Sequence, residues 1–542
     1  MKLVNLTSLD LVVLLAYIVM LVVIGAIVSY RRRKEDDQFL GGRSFGWFNI
    51  GLSILGTNIS PAFLIGFTGA AYTSGMAIAN FEWLAWLLLM LLAMVFTPHY
   101  LKMRIGTMPQ FVHKRFGEKP FAFMSFYTLL STLIIWLGGA LYAGGTLLSQ
   151  IMDWPLLTSV LALIILATCL TVAGGLAVVI VTDTYQSILI LFGTGLLSWL
   201  AVSEAGGIGT ILKTLPAEQW VLLRSGPATN GNIPWYAILL GYPVLGISFW
   251  CTDQTIVQRV LGARDLRQGQ LGAQFAGFLK ILTPFVFILP GLACLLLHPE
   301  LGPENADKVF MTMVGNYMPA GMVGLIIAVL VAALISTIDS GLNSFSTVYT
   351  LDIHKRWVKP GATPHELKIT GQIVTVVVAA VATGIALLME TTGKNLFDLL
   401  TSLIGYFAPP IAACFLVGIL YKRATAKAAL VALYGGTALS MGVVILDFFK
   451  KQIGEMLSIN IKLPHYLLLS FYLFAFISIV MIIVSLLTKH SPDEQELCTL
   501  KEARSEISKG ASRGIWIGWA VLGVMMTAIY LLFNMMPVLL EK

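Results

Sequence analysis

Fourteen apolar runs dominate this chain, at 8–30, 47–73, 76–99, 121–150, 155–174, 176–203, 235–259, 270–297, 308–351, 368–390, 395–421, 424–446, 465–487 and 514–537. About 20 apolar residues suffice for a helix to cross the hydrocarbon core of a bilayer. Backbone inside that core must satisfy its own hydrogen bonds, and runs of this kind do so as helices. The expected fold class is therefore all-α: a polytopic membrane protein with about 14 transmembrane helices. Only 12% of the 542 residues are charged and 57% are apolar, against about 25% charged in soluble domains. A water-soluble enzyme of this length and a disordered chain are both excluded. The ninth run is too long for one crossing, so part of it is expected to form an extramembrane or re-entrant piece. The first reads as a span rather than a cleaved leader, because Arg31-Arg32-Arg33-Lys34 follows it as a stop-transfer flank.

The net charge of +7 does not point to nucleic acid, since no basic patch is interleaved with aromatics. Its distribution orients the chain instead. With the N-terminus outside, the inner connections 31–46, 100–120, 260–269, 352–368, 422–427 and 488–513, with adjoining helix ends, hold 25 of the 35 Lys and Arg. The positive-inside rule then places both termini outside the plasma (inner) membrane. The five cysteines stand singly, with no CxxC pair, so neither a disulfide framework nor a zinc site is indicated. No His-rich metal motif or nucleophile–base set occurs within the spans, and an enzyme is not expected.

Polar groups in a membrane are costly unless paired, so their positions carry the functional information. Gly56-Thr57-Asn58-Ile59-Ser60-Pro61 sits mid-way along the second run, where Gly and Pro open the helical ladder. Gly241-Tyr242-Pro243, with Gly246, Ser248, Thr252 and Asp253 following, reads as a second break in the seventh run, with Asp253 capping its inner end. Each alone is a proline kink. Together, five runs apart, they suggest two repeats that each open with a broken helix, the pattern of secondary transporters. The expected division is 1–46, first helix and basic loop; 47–203, first five-helix repeat; 204–234, outer loop; 235–421, second repeat; and 422–542, three further helices with the inner loop 488–513.

In the ninth run Ala333, Ser336, Thr337, Ser340, Asn343, Ser344 and Thr347 share one helical face, with Asp339 at its edge. Such a stripe serves either close helix packing with back-bonded hydroxyls or oxygen ligation of a small cation. Asp183 lies within the sixth run, Glu82 in the third and Lys280 in the eighth. Asp183 requires a cation or Lys280 as partner, or it titrates. A Glu82–Lys280 ion pair and contact of both with a polar ligand are compatible readings.

The strings Phe39-Leu40-Gly41-Gly42-Arg43-Ser44, Thr57-Asn58-Ile59-Ser60, Tyr72 to Trp83, Gly174 to Gln186, Gln254 to Arg259, Phe278 to Gly291 and Ser336 to Asp352 occur in order along nearly the whole chain. In that combination the chain resembles the sodium:solute symporter family, within it the sodium–sugar cotransporter branch. The resemblance implies a leucine-transporter-like core of two inverted five-helix repeats, alternating access, and Na+ as coupling ion for a sugar or sugar-like polyol. It maps a first sodium site to Gly56, Ile59, Ala333, Ser336 and Thr337. A possible second falls on Asp183, Ser336, Asp339 and Ser340, with Asp339 where sugar members have a small or hydroxyl residue. The solute positions carried over are Asn58, Phe63, Glu82, Gly246, Phe249, Lys280 and Thr401. Three of these, Phe63, Gly246 and Thr401, replace polar contacts of galactose-type members, so a polyol is favoured without galactose in particular. Proton coupling, or another small polar solute such as inositol or sialic acid, stays open beside it.

Overall fold

The computed structural model describes residues 6–32, 37–226, 233–390, 396–457, 463–489 and 509–540; side chains at 396–405, 451, 454, 457, 509–511 and 537–540 fall outside it. The described residues form helices and the turns that join them, with no strand beyond an isolated bridge between Phe45 and Ala263. Eleven helices among them are long and apolar enough to cross a membrane. Two of these, Pro61–Lys102 and Leu156–Glu204, run for 42 and 49 residues, about twice the length one crossing needs. The second of them bends at Gly175, whose φ of 54° and ψ of −145° no helix contains. A side chain there would stand 2.2 Å from the Gln38 carbonyl, so the expected boundary between the fifth and sixth runs falls on a residue that must be glycine.

Burial ranks the helices. In its most apolar 18-residue stretch Met322–Val358 is 89% buried, whereas the corresponding stretches of Ser8–Arg32 and Ser512–Met536 are each 22% buried. The helix carrying the polar stripe is thus the axis of the molecule, and the terminal helices are its outer staves. Its N-terminus is held by the first helix: buried Asp10 accepts the Gly321 and Gly324 N–H groups at 2.8 and 2.7 Å, a carboxylate placed where the helix dipole favours it. The overlong ninth run resolves as Val309–Tyr317 followed, past Gly321 at φ 86°, by this central helix.

The first break forms where the sequence places it. Trp47–Asn58 ends at Ile59, which is extended at φ −85° and ψ 105°. Pro61–Ser74 then starts with Ser60 as its cap, the Phe63 N–H reaching the Ser60 hydroxyl at 3.2 Å. The second break lies elsewhere than expected. The helix from Trp235 continues through Pro243, widens to a π-turn over Ile247–Thr252, and opens at Asp253 before Gln254–Leu261. Pro243 removes one backbone donor and is absorbed within the helix, while Gly246 serves packing: a Cβ on it would meet Leu88 at 2.6 Å.

One end of the structure is closed. A Cβ on Gly69 would meet the Ala306 carbonyl at 2.2 Å, and one on Gly291 the Thr68 carbonyl at 2.2 Å. Tyr72 donates to the His298 carbonyl at 2.9 Å. The half-helix Pro61–Ser74 is therefore pressed against Leu289–Leu297 and the 298–308 segment, leaving space on its other side.

Candidate functional site

The first broken helix meets the central helix through Gly56. A methyl group at that position would lie 2.4 Å from the Ser187 hydroxyl and 3.3 Å from both the Asp183 carbonyl and the Ser336 hydroxyl. Only a residue without a side chain lets the last turn of Trp47–Asn58 approach this closely. That turn ends a helix, so the carbonyls of Gly56, Thr57 and Asn58 lose the i+4 donors an uninterrupted helix supplies, and Pro61 has no N–H to offer Thr57. Across from them stand Ser336 and Thr337, both buried. The Thr337 hydroxyl bonds back to the Ala333 carbonyl at 2.9 Å, and the Ser336 hydroxyl donates to Asp183 Oδ1 at 2.5 Å. Gly56 and Ser336 are thereby adjacent, with Ala333 and Thr337 on the same helix face and Ile59 buried at the break. The end of the first half-helix thus packs beside short hydroxyls, and oxygens of this hard kind suit an alkali cation rather than a softer metal.

Asp183 does not pair with Lys280. Its partner is Arg259, whose guanidinium reaches Asp183 Oδ2 at 3.2 Å with both side chains at 0% exposure. Arg259 also donates to the Thr255 carbonyl at 2.5 Å, to the Ser53 hydroxyl at 3.2 Å and to the Ser340 hydroxyl. Asp183 Oδ2 further accepts from Ser53 at 2.6 Å and Thr57 at 3.4 Å. Of the residues mapped to a second ion, Asp183 and Ser340 are bridged by this guanidinium. Asp339, fully buried, has the Ser340 hydroxyl at 3.5 Å from Oδ1 and, among the described residues, no hydrogen-bond partner at Oδ2. The rest of the polar stripe divides: Ser344 donates to Gln258 at 3.1 Å, and Thr347 bonds back to Asn343 at 2.7 Å. Part of the stripe thus packs and part serves the charged cluster.

Lys280 is paired with Glu82 at 2.6 Å, both buried. It also donates to the Asn58 side-chain oxygen, and Thr283 donates to the same Glu82 oxygen at 2.9 Å. The ammonium lies over the rings of Phe63 and Trp250 at 5.2 and 5.3 Å, an arrangement that favours a desolvated cation.

A cavity of about 250 Å³ opens between the first broken helix, the central helix and the helix from Glu118 to Met152. Thr57, Asn58, Phe63, Phe249 and Thr337 line it, as do Trp136 and Asp253. Glu82 and Lys280 stand behind Asn58, outside the lining. Gly246 is packed on Leu88, also outside it, and the Thr401 side chain lies outside the described residues. Asp253 does not cap an end toward the inner loop. It caps Gln254–Leu261 at the second break and faces the cavity. Arg259 and Trp136 join this region without being candidates from the sequence: Arg259 counts there among the basic residues of the inner connection, although a buried Asp183 calls for a cation. Nothing in the sequence distinguishes Trp136 from the other aromatics of its span.

The model of the sodium:solute symporter family matches residues 38–436. The chain belongs to the sodium:solute symporter family. The chain is 32% identical over 482 residues to the sodium/glucose cotransporter 2 of Rattus norvegicus, covering 81% of this chain and 72% of that one. It is 31% identical over 537 residues to the sodium/myo-inositol cotransporter of Bos taurus, covering 90% and 74%. A solved substrate-bound, outward-open Na+-coupled sialic acid symporter superposes with a TM-score of 0.76 over 90% of this chain and 100% of its own, at 22% identity. That likeness establishes the shared fold. This member of the family is an all-helical, multi-pass membrane protein.

Proposed function

We propose that this protein is a sodium-driven symporter that imports a sugar or sugar-like polyol by alternating access. The observation that carries the reading is the cavity bounded by Thr57 and Asn58 of a broken helix and Thr337 of the hydroxyl helix, with Gly56 packed so near Ser336 that a Cβ on it would stand 3.3 Å from that hydroxyl. An ion held by Gly56, Ile59, Ala333, Ser336 and Thr337 would tie the broken helix to the central one. That link transmits binding of the ion to the wall of the solute cavity. Asn58 presents its amide to the cavity, and Lys280 and Glu82 fix it from behind. Substrate then completes closure on the Tyr72 side, and release proceeds from the cavity on the other. Both termini are assigned to the outside of the plasma membrane, and the chain divides into repeats at 47–203 and 235–421, each holding one of the two breaks.

The energetics suffice. A charge crossing 100 mV contributes about 2.3 kcal/mol, and a tenfold gradient adds about 1.4 kcal/mol. One sodium ion thus supports accumulation of roughly a few hundred-fold, and two support about 10⁵-fold.

A second cation is proposed at Asp183, Ser336, Asp339 and Ser340, because the Arg259 guanidinium pairs with Asp183 and meets Ser340, beside which Asp339 Oδ2 has no hydrogen-bond partner among the described residues. Sodium and a proton are the two candidates for it. The experiment for the whole reading is uptake into proteoliposomes with a panel of hexoses, myo-inositol, N-acetylated sugars and sialic acid, each with and without a sodium gradient. Sodium-driven accumulation of a neutral polyol is the expected result. Uptake that ignores sodium and collapses at high pH would establish proton coupling instead.

A further inference from the structure

Among the described residues, the cavity is lined by one carboxylate, Asp253, and by no lysine or arginine. Asp253 sits at the second break, half-buried, and accepts three donors: the Thr255 N–H at 2.8 Å, the Thr255 hydroxyl, and the Trp136 indole N–H at 3.1 Å. It offers the cavity an acceptor and a negative charge. Lys280, the cation behind Asn58, does not offset that charge, because Glu82 holds it at 2.6 Å. The indole that Asp253 positions stacks on Phe249, with ring centroids 5.5 Å apart and planes at 21°. The two rings make a flat apolar wall next to the carboxylate, a surface for the C–H face of a ring whose hydroxyls donate to Asp253.

We infer that Asp253 is a specificity-determining residue: it excludes anionic solutes from the transport site and admits a neutral polyhydroxylated ring. The inference rests on the symporter reading above and deepens it. A solute carboxylate about 6 Å from Asp253, at an effective dielectric constant near 20, is disfavoured roughly 100-fold against its neutral analogue. The shared fold with a sialic acid symporter does not carry a sugar acid into this cavity, because the wall chemistry decides the charge of the guest.

The test uses matched probes on the full chain in proteoliposomes. Sodium-driven uptake of D-glucose and of myo-inositol is competed by the unlabelled neutral probe and by D-glucuronate, which is glucose with a carboxylate in place of its terminal hydroxymethyl group. In the wild type, glucuronate competes about 100-fold less well than the neutral probe. Asp253→Asn narrows that gap to about tenfold or less, with about a threefold loss in affinity for the neutral probe from the weakened acceptor. Asp253→Ser, which also caps a helix, narrows it in the same direction. Equilibrium binding to the purified variants, followed by tryptophan fluorescence, reads the same ratio where turnover is lost. Equal competition by glucuronate in the wild type, or a gap unchanged in both variants, overturns the assignment. Absence of sodium-driven uptake of any neutral polyol by the wild type overturns the symporter reading itself.

Discussion

Two buried ion pairs flank the same broken helix, and they differ in charge balance. At Lys280 and Glu82 one cation meets one carboxylate at 2.6 Å, and Asn58, Thr283 and two aromatic rings complete the shell. At Arg259 one guanidinium serves Asp183 at 3.2 Å and meets the Ser340 hydroxyl, beside which Asp339 keeps an oxygen with no hydrogen-bond partner among the described residues. The first pair is closed: it fixes Asn58 at the cavity edge and presents no net charge there. The second holds one more carboxylate than cation and stands against Ser336, at the place where a coupling ion would be held. In one fold, the same kind of interaction is closed at one end of the broken helix and leaves a carboxylate over at the other.

The comparison predicts its own mutants. Breaking the second pair has the largest effect: Arg259→Met leaves Asp183 buried without a cation and costs about 3–5 kcal/mol, read as a fall in the thermal unfolding temperature of the purified protein and loss of transport. Lys280→Met costs nearly as much alone, but Lys280→Met with Glu82→Gln removes both charges and recovers about 2 kcal/mol or more of that stability. Solute uptake stays impaired in the double variant, because Asn58 has lost its anchor. A double variant no more stable than Lys280→Met would show that this pair is not self-contained. Ser336→Ala removes one proposed ion ligand and the short bond to Asp183, and raises the sodium concentration for half-maximal uptake about tenfold, or about 1.4 kcal/mol. Asp339→Asn is the mildest, changing stability by about 1 kcal/mol or less because Asp339 makes no salt bridge among the described residues and the amide keeps its shape. Its signature is a lower Hill coefficient for the coupling cation, and an unchanged coefficient would remove Asp339 from the ion site.

Much of this architecture was legible in the chain. Long apolar runs force helices, and a Gly–Pro pair six residues long at 56–61 opens one of them, since a missing donor and a missing side chain act locally. The same local argument failed at Gly241-Tyr242-Pro243, because the helix tolerated one lost bond and put its break at Asp253, ten residues beyond Pro243. The Glu82–Lys280 pair was readable, as two intramembrane charges of opposite sign have few alternatives. Arg259 was not, because a break placed at Gly241-Tyr242-Pro243 leaves it at the inner end of its run, beside a basic connection. The polar stripe identified the central helix, but periodicity cannot tell a back-bonded threonine such as Thr347 from a serine that reaches a carboxylate such as Ser336.

The central claim is that ion and solute are bound on either side of one interrupted helix and cross together. It is tested most directly by measuring initial uptake of radiolabelled D-glucose and myo-inositol into proteoliposomes of the wild type, with an inward sodium gradient and with choline replacing sodium at the same pH. The account predicts concentrative uptake of at least one of the two with sodium, and none above the protein-free background with choline. Equal uptake in both media would contradict it.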